Sequence, residues 1–323
     1  MKSPDKFLIC KGTSGMGNRI FATCTAILYS RISERNLIID WRDGSYGEAG
    51  VNNFNHFFEF SEGYGTESLS TSNSIYPEVW KDNLETSWGQ LRRTLGMPDS
   101  LLSIDVSRLD YEQDILIFSS YSHNIGKMKP LFQGKFDYLF TLSVSEILQS
   151  ILRTDLKLNS AILQSVQHFK ASQFGAKTIG VHVRQTDMKI PIDKLIHRTQ
   201  SLAREMRADC IFLATDAQDT IQLFEQNFQR VVTIPKWFPP HGERLHQNWE
   251  HCPDRVQNGI EALKDVYLLA ECSGLIFSSQ SSFGYLASLL SHAEKQYLHD
   301  INRPSFSDKL KSRLRGLIPK KTL

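Results

Sequence analysis

Short apolar runs alternate with helically spaced apolar positions from the start of this chain. Phe7-Leu8-Ile9-Cys10 predicts a strand, and Lys11-Gly12-Thr13-Ser14-Gly15-Met16-Gly17 behind it is a glycine-rich turn. From Asn18 onward Ile20, Phe21, Cys24, Ile27, Leu28 and Ile32 recur at three- and four-residue steps, the period of a helix. Leu37-Ile38-Ile39 reads as a second strand ending at Asp40. Strand, turn, helix and strand in that order open a parallel α/β sheet.

The rhythm is lost over residues 43–130, which are rich in Gly, Ser, Asn and aromatics, apart from a strand expected at Ile115-Leu116-Ile117-Phe118. The elements between 60 and 110 cannot be ordered from the pattern. Residues 142–170 carry helical spacing (Leu142, Ile147, Leu148, Ile151, Leu152, then Ile162, Leu163, Val166) and mark the expected hinge. Strands are then predicted at Thr178–Val183, Ile211–Ala214, Val231–Ile234 and Gly274–Phe277, with helices at Asp219–Phe228, Gly259–Glu271 and Ser282–Leu290. Two α/β halves in 323 residues suggest two Rossmann-like domains, 1–145 and 146–300, followed by a tail, 301–323.

Composition narrows the function. The charges nearly cancel, Lys+Arg 37 against Asp+Glu 35, which gives no electrostatic case for a nucleic-acid partner. No uncharged apolar run approaches the ~18 residues of a membrane span, and the first residues lack the apolar core of a signal peptide, so a cytoplasmic protein is expected. Five scattered cysteines with no CxxC pair read as buried free thiols rather than a zinc site or disulfide frame. The tail is different. It holds seven basic residues and one acidic one, with Phe306, Leu310, Leu314 and Leu317 on one helical face. Such a helix can lie on the anionic inner face of a membrane or dock its apolar stripe on the protein.

Five places in the chain can carry chemistry. Gly15-Met16-Gly17-Asn18-Arg19 lets backbone approach a ligand at a helix start. It also mimics a dinucleotide fingerprint, with Asp40 in the place of a ribose-binding acid, although Ile20 stands where the third glycine belongs. An NAD-dependent oxidoreductase is therefore one alternative, and a tight turn without ligand another. His182-Val183-Arg184-Gln185-Thr186-Asp187 emerges at a strand's C-terminal end, the ligand-binding edge of open α/β sheets, where Arg184 can grip two phosphate oxygens or make an ordinary edge salt bridge. Phe277-Ser278-Ser279-Gln280-Ser281-Ser282 is a strand, a polar turn and a helix start, suited to an anion or to simple capping. Asp265, on an otherwise apolar helix, can accept two donors at once, such as the ring N–H and amine of guanine, or be a surface acid. Trp41 and Arg42, just past the second strand, suit a sugar or phosphate, or cap a turn. No Asp-x-Asp pair, Gly-x-x-x-x-Gly-Lys-Ser/Thr loop or Gly-x-Ser-x-Gly elbow is present, which removes support for a metal-held diphosphate, a P-loop enzyme and an α/β-hydrolase.

Taken in order, Gly15–Arg19, Ile39-Asp40-Trp41-Arg42, Ile179-Gly180-Val181-His182-Val183-Arg184, Phe212-Leu213-Ala214-Thr215-Asp216, Asp265–Ala270 and Phe277-Ser278-Ser279-Gln280 resemble the fucosyltransferase superfamily that includes the rhizobial nodulation and animal core α-1,6-fucosyltransferases. The resemblance covers most of residues 7–290 and is strongest after 178. It implies a GT-B architecture of two facing Rossmann-like domains, the first on the acceptor side and the second holding the donor. It implies GDP-fucose as donor, a glycan hydroxyl as acceptor, inversion at the anomeric carbon, and no metal or other cofactor. Arg184 matches the family arginine on the diphosphate. His182 and Asp265 match positions near the guanine, Asp216 a donor-domain acid, and Ser279 and Gln280 the third motif. Gly15, Gly17, Asn18 and Arg19 would approach the donor from the first domain, and Trp41 and Arg42 would meet acceptor or sugar. Asp193 is the candidate base, since the segment after Asp187 does not clearly preserve the family's. Gln185 stands where many relatives have a second Arg, and Ala217 where animal relatives have a second Asp. Ser281-Ser282-Phe283-Gly284 also resembles the α-1,2-fucosyltransferases, so α-1,6 linkage is favoured without excluding α-1,2, on a lipid-linked or surface glycan. A non-catalytic nucleotide- or glycan-binding protein is the remaining alternative.

Overall fold

The computed structural model describes residues 6–60, 74–185, 191–239 and 251–303. The chain divides into two compact units, one of residues 1–172 with 234–267 and the other of 173–233 with 268–323.

The first unit is built on a parallel sheet. β1 (Phe7–Lys11) runs into α1 (Met16–Ile32) and then β2 (Asn36–Asp40). β3 (Phe58–Phe60), β4 (Ile75–Tyr76), α2 (Trp88–Leu95), β5 (Ile115–Phe118), α3 (Val144–Thr154), β6 (Leu156–Leu158) and α4 (Ser160–Gln173) follow. The sheet order is β2-β1-β5-β4, and every pairing is parallel. Strands buried on both faces need continuous apolar runs rather than alternation, which is what Leu8, Ile9, Leu37, Ile38, Leu116 and Ile117 supply. Ile9, Ile38, Ile117, Trp80, Trp88 and Leu102 form one core cluster. Between them lie 3₁₀ turns at Glu78–Trp80 and Asp99–Leu101, three residues each and too short to show an apolar period.

The second unit holds β7 (Thr178–Val183), α5 (Ile192–Met206), β8 (Cys210–Thr215), α6 (Gln218–Asn227) and β9 (Val231–Val232). The chain returns through α7 (Arg255–Ala270) to β10 (Gly274–Phe277), α8 (Ser282–Leu290) and β11 (Leu298–Asp300). The order β11-β10-β7-β8-β9 is again wholly parallel. Ile179, Val181, Val183, Leu195, Leu202, Leu213, Phe224 and Ile276 make its core.

Two expectations need correction. The helical stretch 142–170 is interrupted at β6, because Leu156–Leu158 pairs antiparallel with Phe58–Phe60 and a strand cannot continue a helix. That pairing ties α3 and β6 to the first unit, so the division falls after Ser172 rather than near residue 146, and 234–267 returns to the first unit. The five cysteines are free and buried, as expected. Of the basic tail, residues 304–323 lie outside the described residues.

Candidate functional site

In the first unit, β1 and β2 are adjacent with Lys11 opposite Asp40, so both side chains reach the C-terminal edge of the sheet. Both are buried, and the Lys11 ammonium lies 2.7 Å from Asp40 Oδ2. It also donates to the carbonyls of Leu84 and Thr86, tying the loop before α2 to the sheet. Burial pulls the Lys11 pKa down, against the attraction of Asp40. Arg42 Nε completes the group at 2.8 and 2.9 Å from the two Asp40 oxygens. Asp40 therefore serves two cations and is not open to a ribose, which removes the main support for a dinucleotide site.

The glycine-rich turn is held from behind. Arg19 is 1% exposed; its Nε donates to Ser14 O at 2.8 Å, and its Nη2 pairs with Asp43. Its guanidinium lies 5.5 Å from the Trp41 ring centroid and 5.1 Å from that of Tyr46. A Cβ on Gly12 would sit 2.5 Å from Trp41 Cδ1 and 2.7 Å from Arg19 Nη1, so only glycine admits this packing. Asn18 Nδ2 donates to Ser14 Oγ at 2.8 Å, and the Met16 N–H to Tyr46 Oη at 2.9 Å. Gly15 and Asn18 are half-buried and Gly17 is buried. The residue before α1, Gly15, has no side chain to cap it, and Tyr46 Oη takes up the first amide instead.

The expected sugar contacts at Trp41 and Arg42 are not an open face. Trp41 is 1% exposed and ringed by Phe54, Phe57 and Phe58 at centroid distances of 5.2 to 6.0 Å. Aromatic burial takes the ring into the core, and the Asp40 charge draws Arg42 in after it.

In the second unit the predicted residues gather at one sheet edge. β7 lies between β8 and β10, so His182, Arg184, Asp216 and Ser279 all leave the sheet at neighbouring strand ends. Asp216 Oδ1 accepts the Gln185 N–H at 2.8 Å and fixes the chain just past Arg184, which is half-buried. His182 is buried and stacks on Phe283, with centroids 5.1 Å apart and planes at 21°. Gly284 permits that approach: a Cβ there would lie 2.9 Å from both His182 Nδ1 and Ser278 O.

The start of α8 is uncapped. Ser281 precedes the helix in an extended conformation and makes no side-chain cap bond. Its Oγ is fully buried and without a hydrogen-bond partner among the described residues. Ser279 and Gln280 are exposed beside it. An uncapped helix start of this kind, next to an arginine, is suited to an anion.

Asp193 lies in the first turn of α5 and is exposed. Asp265 lies in the first unit's part of α7 and is 4% exposed. It pairs with Lys236, each side chain being 6% exposed, while its Oδ1 has no hydrogen-bond partner among the described residues. Burial raises the Asp265 pKa, and the Lys236 charge opposes the rise. Among the described residues no group of three His, Cys, Asp or Glu could hold a metal ion, and no helix is long and apolar enough to cross a membrane.

No model of a known protein family matches the chain. It is 24% identical to nodulation protein Z of Azorhizobium caulinodans, over 93% of each chain. It is 25% identical to nodulation protein Z of Bradyrhizobium diazoefficiens, over 94% of this chain and 83% of that one. The crystal structure of NodZ α-1,6-fucosyltransferase soaked with GDP-fucose superposes with a TM-score of 0.62 at 23% identity, over 89% of this chain and 93% of that one. The chain has the fold of the NodZ fucosyltransferases. POFUT1 in complex with GDP matches more distantly, with a TM-score of 0.53 at 10% identity, over 93% and 99% of the two chains. The architecture is thus α/β of the GT-B type.

Two further residues take part without a sequence motif of their own. Lys236 follows a proline in a loop and has no pattern of its own. Its signal was Asp265 itself, an acid between Leu263, Val266, Leu268 and Leu269, because a buried carboxylate calls for a cation. Asp300 ends the three-residue strand Leu298-His299-Asp300, which offers no apolar run. Its Oδ1 accepts the Ser279 N–H at 3.1 Å. Burial opposes its charge, but hydrogen bonds from Ser279 and Asn302, with Arg303 nearby, outweigh that and hold its pKa below the ordinary value.

Proposed function

We propose that the chain transfers L-fucose from GDP-fucose to a hydroxyl of a glycan. The observation that carries the reading is the single sheet edge in the second unit, where Arg184, the Asp216-anchored Gln185 and the start of α8 lie at neighbouring strand ends. Likeness to NodZ structures soaked with GDP-fucose or co-crystallized with GDP supports reading this anion-suited edge as the donor side.

In this reading the acceptor oxygen attacks the anomeric carbon from the face opposite the diphosphate, and the carbon–oxygen bond to the β-phosphate breaks with inversion. GDP leaves as charge accumulates on the phosphate oxygens. Arg184 and the N–H groups at the start of α8 stabilise that charge, with no metal ion assigned a part. His182 and Asp265 contact the guanine, and Asp216, Ser279 and Gln280 support the donor. Asp193, an exposed carboxylate at the start of the helix after β7, takes the acceptor proton. Gly15, Gly17 and Asn18 present backbone and amide to the donor, and Arg19 acts by holding that turn. The acceptor is an oligosaccharide, with α-1,6 linkage favoured over α-1,2. The enzyme works in the cytoplasm, and the tail 301–323 meets the inner face of the membrane.

Calorimetry and thermal shift with GDP-fucose, GDP-mannose, UDP-glucose and NADH, each with and without EDTA, test the reading. Selective binding of the guanosine diphosphates, unaffected by EDTA, is expected. Binding of NADH alone, or of nothing, overturns it. A chain ending after Arg303 tests the tail: equal binding to anionic liposomes by the full and shortened chains excludes the membrane contact.

A further inference from the structure

The turn between β10 and α8 is fixed from outside itself. Asp300, at the end of the neighbouring strand β11, is 9% exposed. Its Oδ1 accepts three N–H donors: the Ser279 backbone at 3.1 Å, the Asn302 backbone at 3.1 Å and the Asn302 side-chain amide at 3.3 Å. The same amide donates to Ser278 Oγ at 2.7 Å, so Asp300 and Asn302 hold the turn at two successive residues. Arg198, on α5, braces the far side by donating to the carbonyls of Asp300 at 3.2 Å and Arg303 at 3.1 Å.

A carboxylate beside a diphosphate site is electrostatically unfavourable, so its presence needs a compensating task. Geometry supplies one. Ser279 N–H is turned back onto Asp300, and Ser281 N–H onto Ser278 O at 3.1 Å. Two of the turn's amides are thereby committed inward. The first intrahelical bond of α8 runs from Tyr285 N–H to Ser281 O at 2.9 Å, so the N–H groups of Ser282, Phe283 and Gly284 have no intrahelical acceptor, and among the described residues no side chain caps them. Their direction depends on the turn that Asp300 anchors.

We propose that Asp300 is a positioning residue for the donor diphosphate: through the Ser279 N–H it sets the direction in which the start of α8 presents its free amides. The inference rests on the donor reading given above. Asparagine keeps an oxygen at the Oδ1 position and can replace the carboxylate, whereas alanine cannot.

Calorimetric titration of the full chain with GDP and with guanosine tests it. Asp300→Ala is expected to weaken GDP binding about tenfold, equivalent to about 1.4 kcal/mol, while guanosine binding stays within twofold. Asp300→Asn is expected to stay within about threefold of the parent for GDP. Asn302→Ala, at an exposed position, is expected to weaken GDP about threefold. A folded Asp300→Ala chain with parental GDP affinity overturns the proposal. So does equal weakening of guanosine and GDP, which would mark a general loss of structure, or an Asp300→Asn chain as weak as Asp300→Ala. Should Asp300→Ala fail to fold, the Asp300→Asn and Asn302→Ala titrations still decide, since parental GDP affinity in Asn302→Ala counts against the anchor. If the parent chain itself ignores GDP, the donor reading fails and this inference with it; an indifferent Asp300→Ala in a chain that binds GDP removes this inference alone.

Discussion

Lys236 and Asp265 form a buried ion pair in which the lysine holds Oδ2 and leaves Oδ1 without a hydrogen-bond partner among the described residues. Removing the cation leaves an uncompensated buried charge, which costs about 3–5 kcal/mol. The pH dependence has a definite sign. Burial raises the Asp265 pKa above its ordinary value, so the stability linked to this group is greatest at acid pH and falls as pH rises through the folded pKa. Lys236→Met removes the attraction that opposes the rise, which carries that loss to higher pH. The variant should lose more stability relative to the parent at pH 8 than at pH 5, and Lys236→Met with Asp265→Asn should recover most of it. Urea unfolding at the two pH values checks this; an equal loss at both refutes it.

Arg184 is half-buried at the sheet edge, where charge stabilisation and fold stability separate. Arg184→Ala should lower fucosyl transfer about 10²–10³-fold, the usual cost of removing one donor to a developing negative charge, with the unfolding midpoint nearly unchanged. GDP-release kinetics beside a thermal melt provide the check. A normally folded variant with full activity removes Arg184 from the reaction.

Arg19 should behave in the opposite way. It is buried between the Trp41 and Tyr46 rings, with hydrogen bonds to Ser14 O and Asp43. Truncation to Ala leaves the Asp43 carboxylate and the Ser14 carbonyl short of a donor, at a cost of about 3 kcal/mol or more. Lysine offers neither the fork nor the flat face, so Arg19→Lys should recover little. Chemical denaturation of both variants measures this, and a lysine variant as stable as the parent would show that charge alone suffices.

The sequence was most legible where an apolar run stood between a turn and a helix. The strands Ile115–Phe118 and Gly274–Phe277 and the helix Ser282–Leu290 lie where the pattern predicts them. It was least legible where one residue's role depends on a distant partner. Trp41 follows a strand at the ligand-binding edge, and that position suggests exposure; the phenylalanines at 54, 57 and 58 decide otherwise, and periodicity cannot show that they fold back onto it. Asp40 has the spacing of a ribose ligand but faces Lys11, a pairing visible only once β1 and β2 are in register. Asp300 is hidden for the same reason, because its partner Ser279 lies on the neighbouring strand's turn.

Gly284 gives a prediction whose sign depends on which of two effects is larger. Glycine inside a helix costs about 1 kcal/mol relative to alanine, so Gly284→Ala at an open position would stabilise. Here the added Cβ lies 2.9 Å from Ser278 O and 2.9 Å from His182 Nδ1, closer than carbon normally approaches either. The imidazole can yield only by disturbing its stack on Phe283, and the Ser278 carbonyl belongs to the turn that Asn302 and Asp300 hold. Overpacking of this kind costs about 1–3 kcal/mol, which outweighs the gain in helix propensity. Gly284→Ala should therefore be less stable than the parent, and weaker for GDP because both the ring and the turn must shift. A thermal melt with and without GDP reads both quantities, and a higher midpoint without ligand would mean that the close approach at Gly284 is relieved at little cost.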